Sequence, residues 1–355
     1  MVENSISRVL RLTPVPGNPR NSEGDFVQLA DGRWLFAYTH FDSGDSDHAG
    51  AHLAGRVSED DGTTWSREDM VILLNEGEMN VMSVSLLRLL DGRIALVYLR
   101  KHSLSDCRPY LRFSSDEAET WSDPIEIIPL REMGYYVVNN DRVIQLSGGR
   151  LVVPVALHSR GMPEPLFTPY GEIACYLSDD AGKTWQRSNE VLTEAQSNGD
   201  PVMVQEPGVV ALRDGRLMIY CRTDAGSQYV AYSSDEGMSW SPLRASAIQS
   251  PCSPASIKRI PTTGDLLMVW NNHECIPEEL AGKRTPLTVA LSHDEGESWS
   301  RAQPLEDDPN GWYCYTAIAF AGDHVLLAHC AGDSRDNKGL NTLQITRVPI
   351  AALYA

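Results

Sequence analysis

The sequence predicts an all-β protein, and more narrowly a six-bladed β-propeller built from four-stranded antiparallel blades. Three observations lead to this fold. Short apolar runs are bounded by turn residues, an octet recurs five times, and a tight glycine turn recurs six times. Repetition at a long, regular period is typical of solenoids, arrays and propellers, and no helical periodicity competes with the short runs.

One repeat is clearest between Gln205 and Trp240. An apolar run from Val209 to Leu212 leads into the turn Asp214-Gly215, and two further runs follow, Leu217 to Cys221 and Tyr229 to Tyr232. Short β-rich runs separated by Asp-Gly turns are hairpin signals, because glycine adopts the positive φ that such turns need. This stretch therefore predicts most of one small antiparallel sheet.

The octet has the form Ser-x-Asp-x-Gly-x-Ser/Thr-Trp, with alanine in the glycine position of the second copy. The five copies end at tryptophans 56, 64, 55 and 59 residues apart, namely Trp65, Trp121, Trp185, Trp240 and Trp299. Five copies cannot all be active sites, so we interpret the octets as structural. The aspartate stabilises a turn, and the tryptophan packs between sheets.

The glycine turn sets the number of blades. It recurs at Asp31-Gly32, Asp91-Gly92, Gly148-Gly149, Asp214-Gly215, Gly264-Asp265 and Gly322-Asp323. Six turns predict six blades. The last blade lacks an octet, and we expect the strand from Ile6 to Leu12 to complete it and close the ring. The repeats run nearly from end to end, so we expect a single domain over residues 1–355.

Composition excludes several classes of function. A net charge of −18 argues against a nucleic-acid surface, which needs a clustered basic field. No stretch resembles a membrane span or the apolar core of a signal peptide, so we expect a cytoplasmic protein. The seven cysteines have no paired spacing and are expected to be free thiols. The histidines lack metal-ligand spacing, so neither a metal nor another cofactor is predicted.

The order of strands within a blade predicts where a site lies. In an up-and-down blade the glycine turn and the octet decorate one face of the ring. The opposite face receives the starts of first strands, the ends of second strands and the loops that follow. Polar residues gather at these places, among them Arg20, Glu23, Asp47, His48, Asn139, Glu206, Arg222 and Arg284.

Some charged residues near this face have simpler interpretations. Arg142 is interpreted as the partner of Asp141 inside a strand, and Arg100 and Lys101 as solvated loop charges. Glu206 and Arg222 are different, because they lie at the start and the end of the two strands of one hairpin. Such charges are costly to desolvate unless they are paired with each other or with a ligand.

With these residues in place, the chain resembles the sialidase (neuraminidase) superfamily, six-bladed propellers with repeated octets known as Asp-boxes. The resemblance covers essentially the whole chain. It implies a glycoside hydrolase that releases a terminal carboxylated sugar, sialic acid or a related nonulosonic acid, with retention of configuration. It also implies a small-molecule glycoside as the partner, and no cofactor.

The resemblance implies roles for particular residues. Arg20, Arg222 and Arg284 are similar to the three arginines that clamp the substrate carboxylate, which suits the planar guanidinium group. Tyr315, in YCYTAIAF, is similar to the nucleophile, and Glu206, in QEPGVVAL, to the glutamate that activates it. Asp47 is similar to the acid/base residue, and Glu23 and His48 are placed with the substrate-binding residues.

The sequence departs from the family pattern and leaves alternatives open. Arg20 is followed by Asn21-Ser22-Glu23 where the family has Ile-Pro, which leaves Glu23 as an unexplained anionic group near the site. Tyr313 competes with Tyr315, and Asp45 or Asp42 with Asp47. Two other functions fit the same residues: a propeller glycosidase acting on a different sugar, and a noncatalytic carbohydrate-binding propeller. The oligomeric state is not predicted.

Overall fold

The computed structural model describes residues 6–160, 167–192, 196–197, 200–335 and 338–355. Within these ranges the protein is all-β, which confirms the predicted class, and its helices are three short 3₁₀-helices, Leu130–Glu132, Glu278–Leu280 and Ile350–Tyr354. None of these described helices has the length and apolar character needed to cross a membrane.

Four sheets have four antiparallel strands each. Strand β1 (Ser7–Leu12) belongs to the last of them. The first sheet contains β2 (Arg20–Gln28), β3 (Trp34–Phe41), β4 (Ala51–Ser58) and β5 (Met70–Leu73), in that order.

The second part of the chain forms a nine-stranded sheet. Its strands are β6 (Asn80–Arg88), β7 (Ile94–Lys101), β8 (Cys107–Ser114), β9 (Ile125–Glu126), β10 (Gly134–Val137), β11 (Ile144–Gln145), β12 (Leu151–Arg160), β13 (Glu172–Ser178) and β14 (Gln186–Arg187). A single parallel bridge between Tyr135 and Cys107 joins β10 to β8 and so links β6–β9 to β10–β14. The predicted count of six blades stays a prediction.

The remaining strands complete the molecule. A two-stranded sheet pairs β15 (Gln196–Ser197) with β16 (Asp200–Pro201), and two four-stranded sheets follow. The first contains β17 (Val204–Ala211), β18 (Leu217–Thr223), β19 (Ser227–Ser233) and β20 (Arg244–Gln249), and the second β21 (Ser256–Arg259), β22 (Leu266–Asn271), β23 (Leu287–Ser292) and β24 (Gln303–Glu306).

The last sheet joins the two ends of the described chain. It contains β25 (Gly311–Ala321), β26 (His324–Asp333) and β27 (Leu343–Pro349), with β1 at its edge. Strand β1 pairs antiparallel with β27, and Leu12 lies opposite Leu343. The residues that begin the described chain therefore share a sheet with those near its end.

The octets have the structural role that the sequence predicts. In the first octet the Ser58 hydroxyl accepts from Gly62 N at 2.9 Å, and Asp60 Oδ1 accepts from Thr64 N at 2.8 Å. Trp65 packs against the ring of Phe26, with centroids 5.9 Å apart. The same hydrogen bonds recur in the other four octets. Each octet therefore closes the turn after a third strand.

Apolar side chains from neighbouring sheets form the core. In one cluster Leu35 and Leu53 of the first sheet pack with Leu86 and Leu96 of the next. Burying a leucine side chain contributes about 1.5–3 kcal/mol. Successive side chains of a strand point to opposite faces of the sheet, so apolar residues at alternate positions pack against the neighbouring sheet.

The first strands of the sheets meet near the centre of the molecule. Strand β2 contacts β6 and β25, and β21 contacts β17 and β25. Asn140, between β10 and β11, links two of them, because its Nδ2 donates to Gly24 O at 2.8 Å and to Tyr315 O at 3.0 Å. These contacts place the polar residues of different sheets side by side.

Bulges in these first strands turn selected side chains out of the ladder. The pairing register shifts at residues 22–25, 82–85, 205–208 and 314–317. One non-glycine residue at each bulge has a left-handed φ: Glu23 (55°), Ser83 (60°), Glu206 (50°) and Tyr315 (58°). Bulges re-aim side chains and are frequent beside active sites. Here they bring a carboxylate or a hydroxyl group to the centre from four strands.

Candidate functional site

A central cavity collects the re-aimed side chains. All four bulge residues, Glu23, Ser83, Glu206 and Tyr315, line it, together with Asp47, Lys101, Tyr135 and Asn139. These residues come from at least five separate strands or loops. The cavity therefore lies where the sequence predicted a shared site.

Tyr315 and Glu206 are predicted site residues that come from different sheets and contact each other. The Tyr315 hydroxyl donates to Glu206 Oε1 at 3.0 Å. Burial, and then the charge of Glu206, raise the pKa of Tyr315 well above its usual value. The phenol is therefore neutral at ordinary pH and is already hydrogen-bonded to a carboxylate that can accept its proton.

Two of the predicted arginines flank this pair. Arg222 Nη1 donates to Glu206 Oε2 at 2.6 Å, and its Nη2 donates to Gln205 Oε1 at 2.5 Å. Arg284 lies with its guanidinium carbon 5.5 Å from the ring centroid of Tyr315 and 5.1 Å from that of Trp312. Although burial raises the pKa of Glu206, the positive charges of Arg222 and Arg284 outweigh it and hold that pKa below the usual value.

Arg284 differs from Arg222 in its partners. It is buried, yet among the described residues no carboxylate lies within ion-pair distance of its guanidinium group. Its contacts are the two aromatic faces and the Cys314 thiol. A buried guanidinium group without a carboxylate is suited to binding an anion.

The third predicted arginine, Arg20, is already paired. Only 1% exposed, it donates from Nη1 to Asp47 Oδ1 at 2.6 Å, and its Nη2 lies 3.4 Å from Glu23 Oε1. Its guanidinium group also stacks over Phe41 at 4.3 Å. The structure thus brings Arg20, Glu23 and Asp47 together as an ion-paired group, and Glu23 and Asp47 line the same cavity as Glu206 and Tyr315.

This pairing affects the two carboxyl groups in opposite ways. Burial raises the pKa of Glu23, and Arg20 only partly offsets that effect. Burial also raises the pKa of Asp47, but the charge and hydrogen bond of Arg20 outweigh burial and lower that pKa below its usual value. The Asp47 side chain is 54% exposed, so it combines a place in the cavity wall with access to solvent.

The structure separates the alternatives to Asp47 from the cavity. Asp42 lies near His52, with 3.5 Å between Oδ2 and Nδ1, and Asp45 accepts from Asn341 at 3.3 Å. Neither lines the central cavity. His48 is exposed on the same loop and does not line the cavity either.

Tyr313 also lies apart from Tyr315. Simple alternation along the strand predicts that the two share a face, which is wrong, because the bulge between Cys314 and Ala317 interrupts the alternation. Tyr313 packs against His329, with ring centroids 6.0 Å apart, and lines a different cavity. Burial, followed by the charge of Glu306, raises the pKa of Tyr313 to about 12.

Three charged residues differ from their sequence interpretations. Arg142 does not pair with Asp141. It donates from Nη2 to Ala255 O at 2.7 Å, whereas Asp141 Oδ1 accepts from Lys258 Nζ at 2.6 Å. Arg100 pairs with Glu76 at 2.5 Å. Lys101 is not a solvated loop charge, because it is 1% exposed and lines the cavity.

Sequence reasoning did not name the cavity residues Ser83 and Tyr135, and it gave no role in the site to Lys101 or Asn139. Strand alternation could have found Lys101, since it shares a face with Leu99, another cavity residue, while Arg100 between them points outward. Asn139 was noted only as one of several polar residues. The described residues contain no cluster of three or more potential ligands that could hold a metal ion.

The chain matches the family of BNR repeat-like domains over residues 76–327. A curated sialidase from Paraclostridium sordellii is 26% identical over an alignment of 235 residues that covers 60% of this chain and 55% of the relative. The chain thus spans about half the length of the curated relative it matches.

Solved sialidase structures share the fold. The Hadza microbial sialidase Hz136 superposes with a TM-score of 0.73 at 18% identity, covering 95% of this chain and 67% of the other. The Trypanosoma rangeli sialidase, solved as a covalent intermediate with 2,3-difluorosialic acid, superposes with a TM-score of 0.72 at 16% identity, covering 98% and 60%. At these identities the comparison shows a sialidase-like propeller fold.

Proposed function

Because the chain belongs to the family of BNR repeat-like domains, and with it to the sialidase superfamily, we propose that it is an exo-glycosidase of the sialidase type. The proposed substrate is a glycoside ending in a carboxylated sugar, sialic acid or a related nonulosonic acid, and the proposed outcome is retention of configuration. The observation that carries the proposal is the 3.0 Å hydrogen bond from the Tyr315 hydroxyl to Glu206.

In the first step the Tyr315 oxygen attacks the anomeric carbon and its proton passes to Glu206. The bond to the leaving oxygen breaks, and Asp47 supplies the proton that this oxygen needs. A phenol is a weak nucleophile at neutral pH, so a carboxylate already hydrogen-bonded to it is what the step requires. A neutral tyrosine also avoids the repulsion that a carboxylate nucleophile would exert on an anionic sugar.

In the second step water attacks the same carbon and gives its proton to Asp47. The bond to Tyr315 breaks, and the phenolate takes back its proton from Glu206. Tyr315, Glu206 and Asp47 all end in the protonation states in which they began. Two displacements at one carbon give retention, and sialidases use tyrosine where most glycosidases use a second carboxylate.

Charge supports an anionic substrate. The residues in and beside the cavity include four cations, Arg20, Lys101, Arg222 and Arg284, and three carboxylates, Glu23, Asp47 and Glu206. With all seven ionised, the site carries one net positive charge, which one substrate carboxylate balances. Arg284 is the arginine best placed to receive it, because its described contacts include no carboxylate.

Asp47 must be protonated to act as an acid, yet Arg20 lowers its pKa in this structure. A substrate carboxylate that engages Arg20 would compete with Asp47 for the guanidinium group. Loss of the Arg20 contact removes the main influence that lowers the Asp47 pKa, so binding of the substrate favours the acid form. In this proposal the substrate itself prepares the proton donor.

Covalent trapping tests the proposal. A 2,3-difluoro derivative of sialic acid with fluoride as its leaving group needs no acid, and it should add one glycosyl unit to the intact protein. Digestion and mass spectrometry should place the adduct on Tyr315, and Tyr315→Phe should show none. An adduct on another residue would contradict the assigned nucleophile. Turnover of an α-sialoside without any adduct would contradict the covalent mechanism.

A further inference from the structure

Two cysteines lie opposite each other beside the candidate site. Cys314 of β25 and Cys330 of β26 are paired residues in the antiparallel ladder, just before the bulge that carries Tyr315. Both are free thiols, and the two residues are 1% and 0% exposed. The proposed mechanism gives neither of them a role.

The register places the two thiols within bonding reach of each other. Directly opposed residues of an antiparallel pair lie on the same face of the sheet, with Cα atoms about 4.5–5.5 Å apart. Disulfides span Cα separations of about 4.4–6.8 Å. The thiols are already in contact, because the Cys330 S–H group donates a hydrogen bond to the Cys314 sulfur. A bond between the sulfurs therefore needs only a small movement of the strands.

Charged residues of the site lie next to both thiols. Cys314 contacts the guanidinium group of Arg284. Cys330 lies near Arg20 and Glu23, and the charges of both act on its thiol. Each thiol therefore has one of the predicted clamp arginines beside it.

This environment makes Cys314 the reactive member of the pair. Burial raises its pKa, but the hydrogen bond from Cys330 and the charge of Arg284 outweigh burial and hold that pKa below its usual value. The same hydrogen bond, together with burial, raises the pKa of Cys330 well above its usual value. The thiolate is the nucleophilic form of cysteine, and cationic neighbours favour it. Cys314 is therefore suited to attack an oxidant, and Cys330 to close the disulfide.

Cys175 and Cys221 provide a contrast within the same molecule. They lie in an apolar cluster, on the different strands β13 and β18, with Leu177 and Ile219 among their neighbours. Burial raises the pKa of both thiols well above the usual value. Buried thiols in apolar surroundings are inert, so burial alone does not explain the environment of Cys314.

We propose that Cys314 and Cys330 form a modification site for hydrogen peroxide, whose product, a disulfide, lowers the activity of the adjacent Tyr315. The Cys314 thiolate attacks one oxygen of the peroxide, the O–O bond breaks, and a sulfenic acid and a hydroxide ion form. Cys330 then attacks the sulfenic sulfur, and its proton leaves with that hydroxyl group as water. The hydroxide ion takes up the proton that Cys314 had released, so two thiols are oxidised and one peroxide is reduced to two water molecules.

The disulfide affects the site because Cys314 directly precedes Tyr315. Cβ atoms joined by a disulfide lie about 3.5–4.5 Å apart, whereas those of directly opposed residues in a sheet lie about 4.5–5.5 Å apart. Closing the bond therefore draws the strands together, and it removes the thiol that contacts Arg284. A misplacement of about 1 Å can lower a rate about 100-fold, so the 3.0 Å alignment of Tyr315 with Glu206 is sensitive to this movement. The loss of activity rests on the proposed function, whereas the disulfide does not.

Peptide mapping tests the modification site. The protein is treated with hydrogen peroxide, alkylated and cleaved before aspartate residues, which separates Cys314 from Cys330 at Asp323. We expect the two fragments to remain joined until dithiothreitol is added. Separate, alkylated fragments, or disulfides that involve only other cysteines, would overturn the proposal.

Kinetics test the link to Tyr315. Peroxide should lower the wild-type kcat/KM for a 4-methylumbelliferyl α-ketoside about tenfold or more, and dithiothreitol should restore it. Cys330→Ala should abolish this reversible inhibition and leave the untreated kcat/KM close to that of the wild type. Cys275→Ala, at an exposed thiol, is the matched control and should be inhibited like the wild type. Reversible inhibition of Cys330→Ala, or a complete disulfide with unchanged activity, would overturn the proposal.

The two measurements separate failure of this inference from failure of the proposed function. A mapped disulfide in a protein that hydrolyses no ketoside supports the modification site and counts only against the proposed function. An active enzyme that forms no disulfide with peroxide counts only against the modification site.

Discussion

Tyr315 and Glu206 are hydrogen-bonded at 3.0 Å although 109 residues separate them in the sequence. Both have a left-handed backbone, with φ of 58° and 50°. Such conformations cost about 1–3 kcal/mol for residues other than glycine and cluster at functional sites. Both strained residues contribute a side chain to the same phenol–carboxylate hydrogen bond. We infer that the strained backbone positions these two groups for the proposed reaction.

The first prediction concerns the pH dependence of activity. Glu206 must be ionised to accept the proton of Tyr315, and Arg222 is the strongest influence that lowers its pKa. Arg222→Met therefore raises the pKa of Glu206, so the acidic limb of the kcat/KM profile should move to higher pH. Rates measured between pH 3 and 8 with a chromogenic ketoside would show the shift.

The same ion pair links stability to pH. Because the folded-state pKa of Glu206 lies below its unfolded value, its contribution to stability is present above the unfolded pKa. That contribution is lost as the pH falls through the folded pKa of Glu206.

Arg67→Met, at an exposed arginine, is the control for Arg222→Met and should leave the pH profile of kcat/KM unchanged. An unmoved limb in Arg222→Met would argue against Glu206 as the base.

The second prediction concerns Arg284. Lysine keeps the charge but loses the planar group that stacks on Trp312 and Tyr315 and that matches a carboxylate. Arg284→Lys should raise KM and lower kcat/KM roughly 10–100-fold, the size expected for a charge-assisted hydrogen bond. Arg187→Lys, at an exposed site, should behave as wild type. Unchanged kinetics in Arg284→Lys would remove it from the carboxylate clamp.

The third prediction concerns an octet. The buried Ser58 hydroxyl accepts from Gly62 N at 2.9 Å and supports the turn before Trp65. Ser58→Ala leaves that donor unpaired and should lower the free energy of unfolding by about 1–3 kcal/mol. Because the octet lies away from the cavity, kcat should not change.

The matched control for this octet is Thr63→Ala, an exposed residue of the same turn, which should change stability by about 0.5 kcal/mol or less. Denaturant unfolding measures both variants. A loss of activity in Ser58→Ala without a loss of stability would contradict a purely structural role for the octets.

The sequence could predict the fold and the face that carries the site because both follow from repetition. Octets and turns fix where strands end, and strand ends decide which residues meet. Glu206 and Arg222 were therefore expected to be neighbours, and their 2.6 Å contact agrees with that expectation. The grouping of Tyr315 with Glu206 came from the resemblance, since no local pattern connects residues on different sheets.

The detailed arrangement of the site residues could not be predicted in the same way, because it depends on bulges and loop paths that a period-two pattern does not describe. The bulge beside Cys314 separates Tyr313 from Tyr315, and nothing in YCYTAIAF distinguishes a bulged strand from a regular one. The pairing of Arg20 with Asp47 depends on the path of residues 42–50, which composition does not determine. Lys101 lies inward because of alternation, a signal that was present but was outweighed by its position beside a polar loop.

The most direct test of the account is the release of 4-methylumbelliferone from its α-ketosides by three proteins. These are the wild type, Tyr315→Phe and the matched control Tyr313→Phe, two substitutions that each remove one hydroxyl group from the same strand. We predict turnover by the wild type and Tyr313→Phe, and a loss of several orders of magnitude in Tyr315→Phe. Equal activity in all three proteins, or a selective loss in Tyr313→Phe, would contradict the assignment of Tyr315 as the nucleophile.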